Sequence, residues 1–548
     1  MWRWPSSRTV VLAIAVVLFS ACCLLPVAYL LTIPFSTPHA AYGVLWLDAR
    51  QQGLLWNTAL LGVGTALCAS AIGAPLGLAL ARIPLRGKPL LRLALAAPAL
   101  LPPYIVALAW TYLGSSRGLV ASLVGYDLPG EWTYSLPAAI LVLTLVFYPI
   151  SMLATEVAMR RIDVRLEEAA VLVAPPRRVL GRITLPLAAP SVLAAALIIF
   201  VLAASEFGVP GLLRVRVYTT EVFTAFAALY DFSRAMLVAL PLMALCLILA
   251  LVAVAIVGER LVTTRRGSGA RPALLDRWRR PAEAAVILAV VLALGVPVIV
   301  LIREALDAQA MRTLVEDSGG AIANSLFLAT IGATVVVGLA VWLGYARARA
   351  RTRLGQVADV LFVVVFAVPS TIVGVGLIGL WNRPGLAGAL YGTDVMFILG
   401  YLARLVPVAA LAIAAITRYV PESHEEAAAV SGAGWFRTMT RIVAPQIRLG
   451  LLTAWVITFV LAFGELGVSI LVAPPGEATL PIRIYTIIAN TPSSHVAALA
   501  LLQTTVILAP LAVLAAALQL PLRALRLPRG PSATAQRVPG DVEGDEAP

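Results

Sequence analysis

Residues 425–445 read EEAAAVSGAGWFRTMTRIVAP. The Glu-Ala-Ala portion favours a helix, and Gly432 permits a sharp turn after it. Trp435, Phe436 and Met439 then share an apolar face at helical spacing. Pro445 suits the first turn of a further helix, where its missing N–H costs nothing. The stretch therefore predicts a helix, a turn, a short exposed helix that favours a protein partner, and the start of a long helix.

A second copy of this pattern lies at 167–186, where the sequence is EEAAVLVAPPRRVLGRITLP. Ala174 stands where the other copy has Gly432, and Pro175 follows it directly. The distance from the second glutamate to the final proline is also one residue shorter. The two copies therefore predict loops with the same role and different shapes.

The chain around these two loops is strongly apolar. Of its 548 residues, 61% are hydrophobic and 13% are charged, and its mean hydropathy is +0.94. A soluble domain needs more polar surface, so this composition favours a protein embedded in membrane lipid. Helices are expected, because open strands leave backbone groups without partners in lipid. Twelve apolar runs are long enough to span a bilayer, near residues 10–33, 54–81, 93–113, 136–158, 188–204, 236–258, 283–302, 322–346, 356–381, 394–416, 449–472 and 496–520.

The basic residues predict the orientation of these spans. Of the 41 Lys and Arg residues, 31 lie in the two termini and every second connection. By the positive-inside rule, both termini are cytoplasmic and the chain is a multi-pass protein of the inner (cytoplasmic) membrane. The net charge of +13 does not indicate nucleic-acid binding, because the basic residues form no polar domain. The first apolar run continues to about Ile33, which favours an uncleaved helix over a signal peptide.

The two halves of the chain repeat each other. WNTAL at 56–60 opens the second apolar run, and ANSLF at 323–327 opens the eighth. SEFGV at 205–209 follows the fifth run, and GELGV at 464–468 lies at the end of the eleventh. The predicted fold is all-α, with two tandem six-helix halves around a pseudo-twofold axis along the membrane normal. The predicted parts are the first half, a cytoplasmic linker, the second half and a disordered cytoplasmic tail, at 1–258, 259–282, 283–520 and 521–548.

The duplicated pattern resembles the EAA loop of binding-protein-dependent ABC import permeases. In the second loop the matching residues are Glu426, Ala427, Ala428, Gly432, Ile442 and Pro445. In the first loop they are Glu168, Ala169, Ala170, Ile183, Leu185 and Pro186. One copy is a common helical sequence, whereas two copies, each after a fourth span, are specific to this class of protein.

The resemblance implies how the protein works. In this family the exposed helix of the loop binds a cleft in an ATPase subunit and transmits its motion. The expected contact residues are Trp435 and Phe436 in the second loop and Val179 and Leu180 in the first. Glu168 and Glu426 are expected to brace the preceding turn. The implied partners are two ATP-binding-cassette ATPase subunits and an external substrate-binding protein.

The sequence itself predicts no catalytic, cofactor or metal site. It contains no Gly-x-x-x-x-Gly-Lys-Ser/Thr phosphate loop, so ATP hydrolysis belongs to partner subunits and the chain is not an enzyme. The four cysteines lie within apolar runs, and the three histidines are far apart. Neither set has metal-ligand spacing.

The substrate is indicated by resemblance alone. AAPALLPP at 96–103, EFGVP at 206–210 and ELGV at 465–468 resemble the ferric-iron permease group, whose relatives handle thiamine and phosphonates. Ferric iron is the first expectation, and thiamine, aminoethylphosphonate or another small polar solute remain alternatives. A secondary transporter is a rival class, in which charges such as Arg404 would lie within spans, but it leaves the two loops unexplained. A channel fits less well still.

Two glutamates occupy matching positions at the outer ends of spans, Glu206 at the fifth and Glu465 at the eleventh. A carboxylate near hydrocarbon is costly and tends to face a cavity or a partner. One interpretation makes the pair an outer gate or electrostatic guide that attracts cations. The alternative is structural, with each glutamate paired to a neighbouring base such as Arg214 or Arg483.

Overall fold

The structure is a computed structural model that describes residues 7–36, 49–115, 118–125, 129–229, 231–258, 278–306, 308–350 and 352–524. All secondary-structure elements in these described ranges are helices. Ten of the helices there are long and apolar enough to cross a membrane, and each of two bent helix pairs can form one more span. The prediction of an all-α membrane protein is confirmed.

The spans follow the same order in the two halves. In the first half they are Ser7–Thr32, Ala49–Arg82, the bent pair Lys88–Leu100 with Pro103–Leu113, Leu136–Arg161, Pro176–Ala204 and Phe232–Ile256. In the second half they are Arg279–Ala305, Ser318–Arg349, the bent pair Arg353–Ala367 with Ser370–Trp381, Val395–Thr417, Trp435–Phe463 and Ser493–Ala517. The shorter connecting helices are Leu119–Val124, Gly130–Thr133, Val164–Val171, Gly208–Leu212, Tyr218–Ala227, Leu386–Leu390, Glu422–Val430, Ser469–Val472 and Leu480–Ile487.

The predicted linker and tail lie largely outside the described residues. Residues 259–277 of the linker are not among them, and the next helix begins at Arg279. The last helix continues to Ala524, and 525–548 lie outside the described ranges.

The third and ninth spans are broken, whereas the sequence predicts continuous runs at both places. Each pair bends sharply, by 92° in the first half and 93° in the second. Proline is the cause, because it lacks an N–H and pushes the preceding residue into an extended conformation. Leu101 and Pro102 are extended before Pro103 begins the next helix. Pro369 is extended in the same way, before a helix that begins at Ser370.

Prolines also shape the spans that follow the two cytoplasmic loops. Pro186 and Pro445 each lie two residues beyond a five-residue π-helical segment, at Leu180–Thr184 and Met439–Val443. A proline cannot donate to the carbonyl four residues back, and a local change to wider helical turns accommodates that loss. The short helix after each loop thus runs on into the span. Pro445 lies in the first turn of the α-helix Ala444–Phe463, as the sequence predicts, and Pro186 lies in the first turn of Leu185–Ala204.

Glycines allow the second and fourth spans to pack closely. A Cβ at Gly73 would collide with the backbone of Tyr148, and one at Gly77 with the backbone of Met152. In the second half, a Cβ at Gly344 would lie 2.8 Å from Ala410 O. Small residues at helix contacts bring backbones together in membranes, where apolar burial gives little drive to association.

The first span of each half contacts the opposite half. Cys23 Sγ, in the first span, donates to Leu402 O of the tenth at 3.4 Å. In the other direction, Glu283 in the seventh span accepts a hydrogen bond from the backbone N–H of Arg86 at 3.3 Å. The two halves are therefore interlocked, and the surface between them is called the seam below.

Candidate functional site

The first cytoplasmic loop is anchored by a buried glutamate. Glu167 Oε1 lies 2.5 Å from Arg82 Nη2 at the end of the second span, and the side chains of both residues are fully buried. The Thr184 hydroxyl donates to the same oxygen at 2.9 Å. Buried charges require such partners, because removal from water is costly. This contact fixes the loop to the transmembrane part of the first half.

The second loop is anchored by the corresponding residue, Glu425. Arg349 donates to its Oε1 from Nη2 at 2.6 Å and from Nε at 2.9 Å. The Tyr345 hydroxyl donates to Oε2 at 2.7 Å and accepts from Trp435 Nε1 at 3.3 Å. The short helix that begins at Trp435 is thereby joined to the same anchor.

The structure corrects which glutamates brace the loops. Glu168 and Glu426, expected in that role, are exposed and form no ion pair with any described residue. Their neighbours Glu167 and Glu425 make the contacts, because one step along a helix turns a side chain by about 100°. Of the alanines, Ala428 is buried, Ala170 is half-buried, and Ala169 and Ala427 are exposed.

The residues expected to contact an ATPase differ in their exposure. Phe436 is 57% exposed, whereas Trp435 is half-buried, its ring centroid 5.7 Å from that of Trp342. Val179 is buried, so it cannot contact a partner in this structure, and Leu180 is half-buried. Val179 is the last residue of its short helix, and Thr438, at the matching position of the second loop, is also buried.

The most exposed apolar residues of the loops were not singled out from the sequence. Leu172 and Val173 are each 86% exposed, and Val430 is 91% exposed. Leu172 and Val173 directly follow the first Glu-Ala-Ala helix, which ends at Val171, and Val430 is the last residue of the second. Gly432 makes that turn in the left-handed region, with φ +76°, as the sequence predicts. The first loop makes its turn at Leu172–Ala174, and the extended Pro175 then leads into the short helix.

A cavity of about 230 Å³ lies on the seam. Both bent pairs, the fourth and tenth spans, and the residues after the fifth and eleventh spans line it. Glu206, Glu465 and Arg404 are the charged residues of its lining. The structure therefore brings the two predicted glutamates to one cavity and adds a cation that the sequence marked without a role.

Each glutamate holds the turn that follows its span. Glu206 Oε1 accepts from the backbone N–H of Gly208 at 2.9 Å and of Val209 at 3.4 Å. Glu465 Oε1 accepts from the Val468 N–H at 3.0 Å. Arg214, one of the two bases that the structural alternative proposed, forms no ion pair with either carboxylate among the described residues.

Arg404 closes the cavity from the tenth span. Its Nη1 donates to Phe366 O at 2.8 Å and to Val368 O at 2.9 Å, the carbonyls left open where the ninth span breaks. Its guanidinium lies 5.0 Å from the centroid of the Phe366 ring. Glu206 and Glu465 line the same cavity as Arg404.

Comparisons with known proteins agree with this arrangement. A family model described as binding-protein-dependent transport system inner membrane component matches residues 320–522. The Fe(3+)-transport system permease protein FbpB 2 of Haemophilus influenzae is 23% identical over 80% of this chain and 84% of its own length. The ABC transporter permease protein ORF1 of Streptomyces antibioticus is 33% identical over 33% of this chain and 79% of its own length. The 2-aminoethylphosphonate transport system permease protein PhnU of Salmonella typhimurium is 32% identical over 29% of this chain and 58% of its own length.

Proposed function

This chain belongs to the binding-protein-dependent ABC transporter permeases, and from that premise we propose that it carries a small solute into the cytoplasm through its seam. The observation that carries the proposal is the pair of anchored loops, each joined by a buried or half-buried glutamate to the end of a long span. A force applied to such a loop reaches the transmembrane helices through these contacts. The permease itself is not an enzyme.

The proposed energy source is a pair of ATP-binding-cassette subunits, one on each loop. Exposed apolar side chains support these contacts, Leu172 and Val173 on the first loop and Val430 and Phe436 on the second. Large exposed apolar groups at one place favour a protein interface. An external substrate-binding protein is the proposed second partner. Both termini and the 259–282 linker are proposed to be cytoplasmic.

Ferric iron remains the first candidate for the solute. Support comes from a relative that matches 80% of this chain and is named as an Fe(3+)-transport system permease protein. Aminoethylphosphonate is the second candidate, supported by a relative of higher identity over a shorter stretch. Thiamine or another small polar solute is a further alternative.

Glu206 and Glu465 are proposed to act together at the outer part of the pathway, as a gate or a guide for positive charge. Each has one oxygen held by backbone N–H groups, and both line the same cavity. The double variant E206Q/E465Q should lower uptake while the amount of assembled complex and its basal ATPase rate stay unchanged. Unchanged uptake would contradict the gate, and loss of assembly would favour a purely structural role.

The import function is tested by co-expression of the permease with its ATPase and binding protein. We expect the ATPase to co-purify with the permease, and ferric-loaded binding protein to stimulate ATP hydrolysis in proteoliposomes. Stimulation by phosphonate-loaded protein alone would select the second candidate. Permease that purifies without an ATPase and catalyses ion-coupled uptake would overturn the proposal.

A further inference from the structure

Arg404 presents an unused hydrogen-bonding edge to the seam cavity. A guanidinium has five N–H donors in a fixed planar fork. Both of the hydrogen bonds found for Arg404 among the described residues come from Nη1. Its Nε and Nη2 form none with those residues, and the side chain is partly exposed where it lines the cavity.

The free edge has a definite chemical preference. Parallel donors on Nε and Nη2 match the two oxygens of a carboxylate, phosphate or phosphonate, and such bidentate bonds are among the strongest in proteins. Two main-chain carbonyls and the Phe366 ring hold the guanidinium in place. Little side-chain freedom is therefore left to lose when an oxyanion binds.

The other charged groups of the cavity have the opposite sign. Glu206 and Glu465 each use Oε1 for backbone N–H groups, and no described residue hydrogen-bonds to the Oε2 of either one. In the part of the chain that the structure describes, neither carboxylate forms an ion pair with Arg404. The cavity thus offers a cationic donor edge at one place and two carboxylate oxygens at another.

The cation also breaks the symmetry of the repeat. Pro149 and Pro407 occupy matching places in the fourth and tenth spans, and the same alignment sets Val146 opposite Arg404. The glutamates occur in both halves, whereas the arginine occurs in one. A solute that uses all three charges would therefore bind in one orientation.

We propose that the seam cavity is a transient binding site for a small zwitterionic solute, with its oxyanion on Arg404 and its cationic group towards Glu206 and Glu465. The inference rests on the proposed import function, and it favours the second candidate solute, aminoethylphosphonate, over ferric iron. A bare ferric ion would gain nothing from the free edge of Arg404. The cavity volume of about 230 Å³ is below the 300–1,000 Å³ typical of pockets for drug-sized ligands, so the solute is small.

The test measures protection of a cysteine placed in the cavity. Val408 lies one helical turn after Arg404 and lines the same cavity, so V408C is introduced into a variant without the four native cysteines. The purified permease–ATPase complex is then labelled with an anionic or a cationic methanethiosulfonate reagent. Three probes are compared as protectants: 2-aminoethylphosphonate with both charges, ethylphosphonate with the oxyanion alone, and ethanolamine with the cation alone.

We expect 2-aminoethylphosphonate to protect best, and R404Q to weaken its protection about tenfold, which corresponds to about 1.4 kcal/mol. R404Q should also slow the anionic reagent relative to the cationic one. R404K keeps the charge without the planar fork, so it should keep the reagent preference and lose most of the protection. R383Q is the matched control, because Arg383 also donates to a main-chain carbonyl and does not line the cavity.

Protection that survives both R404Q and R404K, or equal protection by ethanolamine alone, would overturn the proposal. If R404Q does not assemble, the R404K result decides. The assay needs neither ATP nor a binding protein. A failure here is therefore distinct from a failure of the import function, which co-purification and uptake report.

Discussion

The two cytoplasmic loops hold an equivalent glutamate in different surroundings. In the first loop the Arg82–Glu167 pair is entirely buried and a threonine completes it. In the second, the Arg349–Glu425 pair keeps some exposure, 8% and 17%, and is joined to Tyr345. Both loops are thus anchored to the transmembrane part, but only the anchor of the first loop is completely shielded from water.

The outer surfaces of the loops differ more than their anchors. The short helix of the first loop, Pro176–Val179, exposes Arg177 and Arg178. The corresponding helix of the second loop, Trp435–Thr438, exposes Phe436 and Arg437, so the two helices differ in the first of these exposed positions, Arg177 against Phe436. The comparison teaches that the transmission of force to the spans is duplicated, whereas the surface that receives it is specific to each loop. The proposed ATPase contacts should therefore be unequal.

Loss of the first anchor should have the largest effect on stability. E167A leaves Arg82 charged and buried, and breaking a buried pair costs about 3–5 kcal/mol. We expect a lower unfolding temperature in detergent and a reduced yield of assembled complex. The control is E167L with R82M, which removes both charges and should recover much of the loss. An E167A protein as stable as the wild type would show that the pair is not an anchor.

The matched change in the second loop should cost less. E425A removes a partner from an arginine that solvent can partly reach, and the loss of such a charged hydrogen bond is about 1.5–3 kcal/mol. The unfolding temperature of E425A should lie between those of the wild type and E167A. The reverse order would mean that burial does not explain the difference between the loops.

A β-branched residue at the turn should impair the second loop more than the first. G432V places a β-branched residue at φ +76°, where left-handed backbone costs about 1–2 kcal/mol. We expect the variant to insert and hydrolyse ATP, with uptake uncoupled from hydrolysis. A174V is the control, because the first loop makes its turn without a positive φ at that residue. Uptake by G432V at the wild-type rate would show that the second loop is not a coupling element.

Removal of the exposed phenyl ring should have the smallest effect on stability. F436A changes a surface side chain, and such changes stay within about ±0.5 kcal/mol. The ratio of uptake to ATP hydrolysis should nevertheless fall, because the receiving surface of the second loop is apolar. R177A, at the matching place in the first loop, should lower that ratio less. Equal effects would argue that the two contacts are equivalent.

The sequence predicted the fold class, the two loops and the glutamates of the cavity, because each depends on local pattern or composition. It did not predict that Glu167 and Glu425 make the anchors, since a choice between adjacent glutamates depends on where Arg82 and Arg349 end their spans. The breaks at Pro102 and Pro369 were also missed, because the prolines lie inside apolar runs. The position of Arg404 was missed for the same reason, because the break at Pro369 exposes the two carbonyls that accept its hydrogen bonds.

The contact of the first span with the opposite half has a consequence for the timing of folding during synthesis. The thiol of Cys23 finds its partner, the carbonyl of Leu402, 379 residues later in the chain. At about 5–20 residues per second, the ribosome needs about 20–75 s to supply that partner. During this interval the first helix is in the bilayer with lipid where its final neighbour will be. The chain thus reaches its native packing late in translation, when the second half closes over a helix inserted at the outset.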